Sequence, residues 1–292
     1  MGKVVYTYHH KYNDNSIPRR SARPVMPLVS SRYASLRAGK SPGGAGQEGV
    51  FRIFCLSLPV TNAGKGKVAP PARFPAGPPA PFYTGSKTHG MYFRPPKFIK
   101  RLFPELNWNL REPGGIFLTF DDGPTPEVTE WVLDTLDKYD AKATFFCLGK
   151  NVDLHPDIFR KIKARGHAVG NHSYSHIKGW GTPTGRYLED ADLANGLIRT
   201  NLYRPPYGRI TRSQIRRISE RYHIIMWDIL SRDYSRAVSP EACVRNVTRH
   251  LHEGSIVVFH DSAKASRNLY YALPRVLEAI QRAGLRCRSI EL

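Results

Sequence analysis

Two aspartates stand side by side in Thr119-Phe120-Asp121-Asp122-Gly123-Pro124, where an apolar run meets a Gly-Pro turn. Adjacent carboxylates at a strand end can serve one site only if both face one pocket. Neighbours on an extended strand point to opposite faces, so the chain must bend here, and Gly123-Pro124 suits a bend. Two histidines lie four apart in His172-Ser173-Tyr174-Ser175-His176. On a helical turn that spacing places both side chains on one face, about 5–6 Å apart, and neutral imidazoles are good ligands for zinc and similar divalent ions. Together with an upstream carboxylate they would form a facial metal triad.

Three further clusters follow. Arg204-Pro205-Pro206-Tyr207-Gly208 carries two prolines, which fix φ and remove two donors, stiffening the loop and leaving the amides of Tyr207 and Gly208 to donate elsewhere. The guanidinium at its start could clamp a carboxylate in two-point geometry. Trp227-Asp228-Ile229-Leu230-Ser231-Arg232-Asp233-Tyr234 and Ile256-Val257-Val258-Phe259-His260-Asp261 both come at or after apolar, strand-like runs. In the last cluster His260 is the side chain that titrates near neutrality, which suits a general acid. Each cluster alone has a bland explanation: a solvated Asp-Gly turn, a surface histidine pair, a rigid loop, a structural histidine. Five of them at strand ends in one chain argue for a common site.

The elements that must position these residues begin at Gly115, where short apolar runs start to alternate with amphipathic stretches of helical length. That is the pattern of repeated βα units around a parallel sheet. Strands are predicted at Ile116–Phe120, Ala143–Cys147, Ala168–Gly170, Ile224–Trp227, Ile256–Phe259 and Leu285–Arg288, with helices near 127–138, 156–164, 187–199, 211–220, 240–252 and 268–283. Barrel enzymes build their sites at the C-terminal ends of such strands, and about 180 residues fall short of the roughly 250 of an eight-unit barrel. The predicted fold is therefore α/β, a distorted or incomplete (β/α) barrel.

The whole chain has 292 residues and a net charge of +20, but residues 1–90 hold 13 of the 44 Lys/Arg and only 2 of the 24 Asp/Glu. That concentration weakens the reading of the chain as a basic, polyanion-binding protein without catalysis, whose binding would vanish with those residues; no nucleic-acid partner is expected. Residues 1–90 are rich in Pro, Gly, Arg and Ser and lack any sustained helical or strand period, which predicts a disordered or spurious extension with natural initiation at Met91 and a catalytic domain over 91–292. No apolar run approaches the roughly 18 residues of a membrane span. Phe51–Val60 comes nearest to an export signal, but Arg52 and Pro59 interrupt it, and no adequate apolar run follows Arg19-Arg20, so the compartment stays open between cytoplasm and cell envelope. Cys55, Cys147, Cys243 and Cys287 are too scattered to argue for a disulfide or a metal, and Cys147 reads as a small core residue.

Taken in order, the five clusters resemble the motifs of carbohydrate esterase family four, the NodB-homology polysaccharide deacetylases, over about residues 115–290. The resemblance implies one divalent ion, zinc or else cobalt or another metal, held by Asp122, His172 and His176. It implies Asp121 as general base on the attacking water, His260 as general acid on the leaving group, and Arg204 as the residue that orients Asp121. Asp233 would pair with the arginine or tune His260, with Asp228 a less certain match. The backbone amide of Tyr207 would hold the oxyanion, and Trp227 with the apolar residues before His260 would line the acetyl pocket. Ile256 stands where Leu is commoner, and Tyr234 where Trp often follows the acidic residue. The implied substrate is an acetylated polysaccharide, with N-deacetylation of a GlcNAc-containing polymer, peptidoglycan or chitin-like, ahead of O-deacetylation of acetylated xylan. Oligomeric state is not legible.

Overall fold

The computed structural model of the chain describes residues 94–292. The expectations for residues 1–90 and for a start at Met91 lie outside the described residues. In chain order the elements are α1 (Lys97–Leu102), β1 (Gly115–Asp121), α2 (Val128–Lys138), β2 (Thr144–Cys147), α3 (Gly149–Leu154), α4 (Pro156–Ala164), β3 (Ala168–Asn171) and α5 (Thr184–Ile198). They continue with β4 (Leu202–Tyr203), a 3-10 turn at Pro206–Gly208, α6 (Arg212–Ile218), β5 (His223–Ile224), β6 (Ile229–Leu230), α7 (Pro240–Thr248), β7 (Ile256–His260), α8 (Ser266–Arg282) and β8 (Arg286–Cys287). No helix of the described residues is long and apolar enough to cross a membrane.

All strand pairings are parallel, in the order β5-β4-β3-β2-β1-β7-β6 with β8 also on β1, and no pairing joins β5 to β6 among the described residues. The sheet is thus an incomplete barrel, as the sequence predicts. β1 sits at its centre and every residue of it is buried, which is why it reads as a continuous apolar run rather than an alternating one. Its two faces still do different work. Ile116, Leu118 and Phe120 pack into the cluster shared with α2 and α8, while Phe117 joins an inner cluster with Phe146, Leu202, Ile225 and Ile256. Thr119 and Asp121 follow Phe117 on the inner face by strand periodicity. In β7, Val257 and Phe259 go to the helix-covered core, leaving Val258 and His260 for the interior.

Local signals set the helices. Thr211 and Gln214 form a reciprocal capping box on α6, and Ser239 caps α7, with Pro240 at the first helical position. Leu269, Ala272, Leu273, Val276, Leu277 and Ile280 make the buried stripe of α8 at helical spacing. Cys147 is fully buried, and Cys147, Cys243 and Cys287 are free thiols.

The expected strand Ile224–Trp227 is only partly found. β5 ends at Ile224, and the ladder stops because others take its groups: Asn107 accepts from the Met226 amide at 2.7 Å, and Arg204 donates to the carbonyls of Ile225 and Met226 at 3.2 and 3.0 Å. The two-residue strands β4 and β6 and the short helices α1 and α3 escaped the sequence pattern, being too brief to show a period.

Candidate active site

Every sequence-predicted site residue except Asp233, Arg204 and Asp228 lines one pocket of about 350 Å³ at the C-terminal ends of the strands. Asp121, Asp122, His172, His176, Tyr207, Trp227, Leu230, Tyr234, Val258 and His260 all contribute to its wall. Asp233 and Arg204 lie directly behind it.

Asp121 ends β1 facing inward, and the following Asp122 would point away were the strand to continue. It turns instead: Asp122 has φ 84°, in the left-handed region, and this is the bend the adjacent carboxylates require. One Asp122 oxygen then lies 3.3 Å from His176 Nε2 and 3.8 Å from His172 Nε2. The histidine rings are 5.1 Å apart, yet not for the reason their spacing suggests. The segment is no helical turn, since Ser173 and His176 have φ of 66° and 60°. It is a loop folded around a carboxylate from α5: Asp190 accepts from the amides of Tyr174 and Ser175 at 2.8 and 3.1 Å and from the Ser175 hydroxyl at 2.5 Å.

The donor set fits a divalent ion. One ligand atom from each of Asp122, His172 and His176 lies within 4.8 Å of the others, the sole such group among the described residues. His172 Nδ1 sits 2.8 Å from the Arg204 carbonyl, which can only accept, so Nδ1 carries a proton and Nε2 is the nitrogen turned toward Asp122. Burial and the neighbouring His172 push His176 down to about 4, against the pull of Asp122, so its imidazole is neutral near pH 7, the form a metal ligand needs. Its Nδ1 meets the Tyr207 hydroxyl at 3.1 Å.

Arg204 is fully buried under the site. It donates to Asp121 Oδ1 at 2.7 Å and, through the same nitrogen, to Thr119 Oγ1 at 2.7 Å, while its face covers the Phe146 ring at 4.1 Å. The expected two-point clamp is therefore absent: one nitrogen meets the carboxylate, and the rest of the fork is committed to the carbonyls of Ile225 and Met226. Burial raises the Asp121 carboxyl, but Arg204 above all, with His172 and His260, outweighs it and holds Asp121 below the ordinary carboxylate value.

Across the pocket His260 Nδ1 is 2.8 Å from Asp233 Oδ1, and the second Asp233 oxygen accepts the His260 amide at 2.7 Å. Burial would lower His260, but Asp233 first, then Asp122 and Asp121, overcome it and lift the imidazole to about 9. Asp233 thus pairs with the histidine and not with Arg204. Asp228 belongs elsewhere: buried, it meets Arg94, Lys100 and His252 at 3.1, 2.5 and 2.9 Å and ties α1 to the barrel.

The Pro-rich loop offers fewer donors than its sequence suggests. The Gly208 amide is spent on the Pro205 carbonyl at 3.0 Å, leaving that of Tyr207 as the candidate, on a residue held at φ 59°. Gly208 has no room for a side chain, because a Cβ would lie 2.4 Å from the Trp227 ring. The glycine lets Trp227 close that wall.

Sequence reasoning gave no role to Asp261, Asp190, Asn151 or Thr129, all of which support the site. Asp261 is buried between Gly123 and Thr129. Burial pushes its carboxyl up to about 8; the Thr129 hydroxyl opposes this and the Asp122 charge adds to it. Its place beside His260 was the one available signal; the others carry none.

The sequence matches the polysaccharide deacetylase family over residues 111–224. It is 31% identical over 181 residues to a peptidoglycan-N-acetylglucosamine deacetylase of Bacillus cereus, covering 59% of this chain and 84% of that protein. A second protein of the same name and organism is 31% identical over 185 residues, covering 59% of this chain and 65% of its own length, so this chain spans a little under two thirds of that relative. Among solved structures, the Bc1960 peptidoglycan N-acetylglucosamine deacetylase in complex with 4-naphthalen-1-yl-N-oxidanyl-benzamide superposes with a TM-score of 0.61 at 27% identity, covering 64% of this chain and 91% of that one.

Proposed function

This chain belongs to the polysaccharide deacetylase family, carbohydrate esterase family four, and from that premise we propose that it removes acetyl groups from the amino sugars of a GlcNAc-containing polymer, peptidoglycan or chitin-like, with the help of one divalent ion. The observation that carries this reading is the convergence of a depressed carboxylate, a raised imidazole and a His-His-Asp donor set on one pocket. The catalytic unit is assigned to residues 91–292.

Asp122, His172 and His176 would hold the ion, zinc before cobalt. When bound, such an ion supplies Lewis acidity, polarising the acetyl carbonyl and acidifying water. Asp121 takes the proton of the attacking water; Arg204 keeps its carboxylate ionised and fixes which oxygen faces the pocket. Trp227, Leu230 and Val258 provide an apolar wall for the acetyl methyl. The Tyr207 amide donates to the oxyanion as the carbonyl becomes tetrahedral, a preorganised contact of the kind that contributes most to acyl transfer. His260, kept protonated by Asp233, delivers its proton to the sugar nitrogen. An amine leaves poorly unless protonated, which is why an amide substrate suits an imidazole lifted to about 9.

Acetate release tests the reading. The full chain, with zinc, should release acetate from N-acetylglucosamine oligomers or peptidoglycan fragments, and a chelator should stop it. Release from acetylated xylan alone would move the substrate to a sugar ester. No release from any of the three would end the deacetylase assignment.

A further inference from the structure

Asp122 can serve the metal site only while its backbone stays at φ 84°, a conformation side-chain-bearing residues seldom adopt. Something outside the residue must hold it there. Four polar backbone groups of the turn are tied, among them all three carbonyls. The Asp121 carbonyl accepts from the Asp261 amide at 3.1 Å, and the Gly123 carbonyl accepts from the Leu148 amide at 3.0 Å. The other two ties are made by side chains: Asn151 Nδ2 donates to the Asp122 carbonyl at 2.7 Å, and the Gly123 amide donates to Asp261 Oδ1 at 3.0 Å.

Asp261 is itself anchored. Its second oxygen accepts from the Thr129 hydroxyl at 2.6 Å, and Thr129 accepts in turn from the Thr125 amide at 2.7 Å, so the end of β7 is joined through this carboxyl to the start of α2. Asp261 is 1% exposed. A Cβ at position 123 would sit 1.9 Å from its Oδ2, so glycine there makes room for the carboxyl. Neither Asp261 nor Asn151 lines the pocket.

We infer that Asp261 and Asn151 are positioning residues: acting only through the backbone of the Asp121–Gly123 turn, the first from just after β7 and the second from α3, they hold Asp122 in the conformation that delivers its carboxylate to the two imidazoles. This rests on the metal-site reading above, and its test is metal affinity rather than turnover. The full chain, stripped with chelator, is titrated with Zn²⁺ by calorimetry. Asp261→Ala and Asn151→Ala should each weaken zinc binding by about 10–100-fold, the usual cost of losing a partner behind a ligand. Asp261→Asn keeps an oxygen for the Gly123 amide and should recover most of what Asp261→Ala loses, a rescue that general destabilisation would not produce. Should Asp261→Ala fail to fold, with the Gly123 amide and Thr129 hydroxyl left unpaired, Asn151→Ala at its half-buried site decides alone. Zinc bound as tightly by Asn151→Ala as by the parent, or no zinc bound by the parent, overturns the inference. Weakened zinc binding alongside a parent that releases no acetate from any glycan would support it and sink the deacetylase assignment instead.

Discussion

The two walls of the pocket use one device with its polarity reversed. On one side Asp121 faces the cavity and the buried cation Arg204 stands behind it, at 2.7 Å; on the other His260 faces the cavity and the buried anion Asp233 stands behind it, at 2.8 Å. The hidden partner decides the outcome in each case. A cation behind a carboxylate keeps it empty of its proton, and an anion behind an imidazole keeps it loaded. The difference teaches how neighbouring groups in one cavity are biased to opposite protonation states by partners that do not line it. Rigidity differs as well. Arg204 is fixed by four oxygens, while Asp233 is fixed by His260 and by the Tyr234 amide at 3.0 Å.

Asp121→Asn attacks the acceptor wall and should have the largest effect, on the order of 10⁴-fold in turnover, the top of the range for a positioned base. Bound zinc, measured by elemental analysis, should stay near one per chain. Because a buried ion pair loses one charge, roughly 3–5 kcal/mol of stability should go with it, so the assay belongs well below the lowered thermal transition. Substantial residual turnover would mean that Asp121 is not the acceptor.

His176→Ala leaves both walls intact and removes the donor set between them. Zinc content should fall and turnover should drop by more than the roughly 10–100-fold that changes behind a ligand cost, with partial recovery in excess zinc. Unchanged stoichiometric zinc in both this variant and His172→Ala would remove the triad from consideration.

Asp233→Asn reverses the donor wall and should have a smaller effect. In metal-free protein, where no added cation repels the imidazolium, an NMR titration of His260 should give about 9 for the parent and a value nearer the ordinary 6.5 for the variant. The sign follows from the raised value: the pair's stabilisation is fully present below about 6.5 and is lost as pH rises through about 9. The variant should therefore lose most stability at the acid end of that window, and the alkaline fall in its activity should move to lower pH, with a loss approaching roughly 30-fold at pH 8 as the imidazole nears 6.5. A His260 titration that ignores the substitution would break the comparison between the walls.

Much of this site is legible in the sequence because the strands that carry it are. The apolar run ending at Asp121 marks a buried strand with the carboxylates at its end, although a run apolar on both faces does not tell the inner face of Phe117, Thr119 and Asp121 from the helix-covered face of Ile116, Leu118 and Phe120. The need for a bend after Asp121 is legible too, though its form, a positive φ at Asp122, is not. The histidine spacing misleads: it suggests a helix, whereas a carboxylate from α5 shapes the loop, and nothing local announces that Asp190 will arrive there. Arg204 misleads in a similar way, since its fork is divided among a hydroxyl, a carboxylate and two carbonyls of the segment expected to extend as a strand. What sequence cannot supply in each case is a contact made by an element remote along the chain.

The most direct test of the division between the walls is His260→Ala assayed on two substrates, an N-acetylglucosamine oligomer and an activated aryl acetate, with zinc content verified. The amine of the first must be protonated to leave; the phenolate of the second leaves unaided. The expected result is a loss on the order of 10²–10⁴-fold on the oligomer and a much smaller loss on the aryl ester, whereas Asp121→Asn impairs both alike. Equal losses on the two substrates for His260→Ala, with zinc intact, would contradict the assignment of His260 as the proton donor.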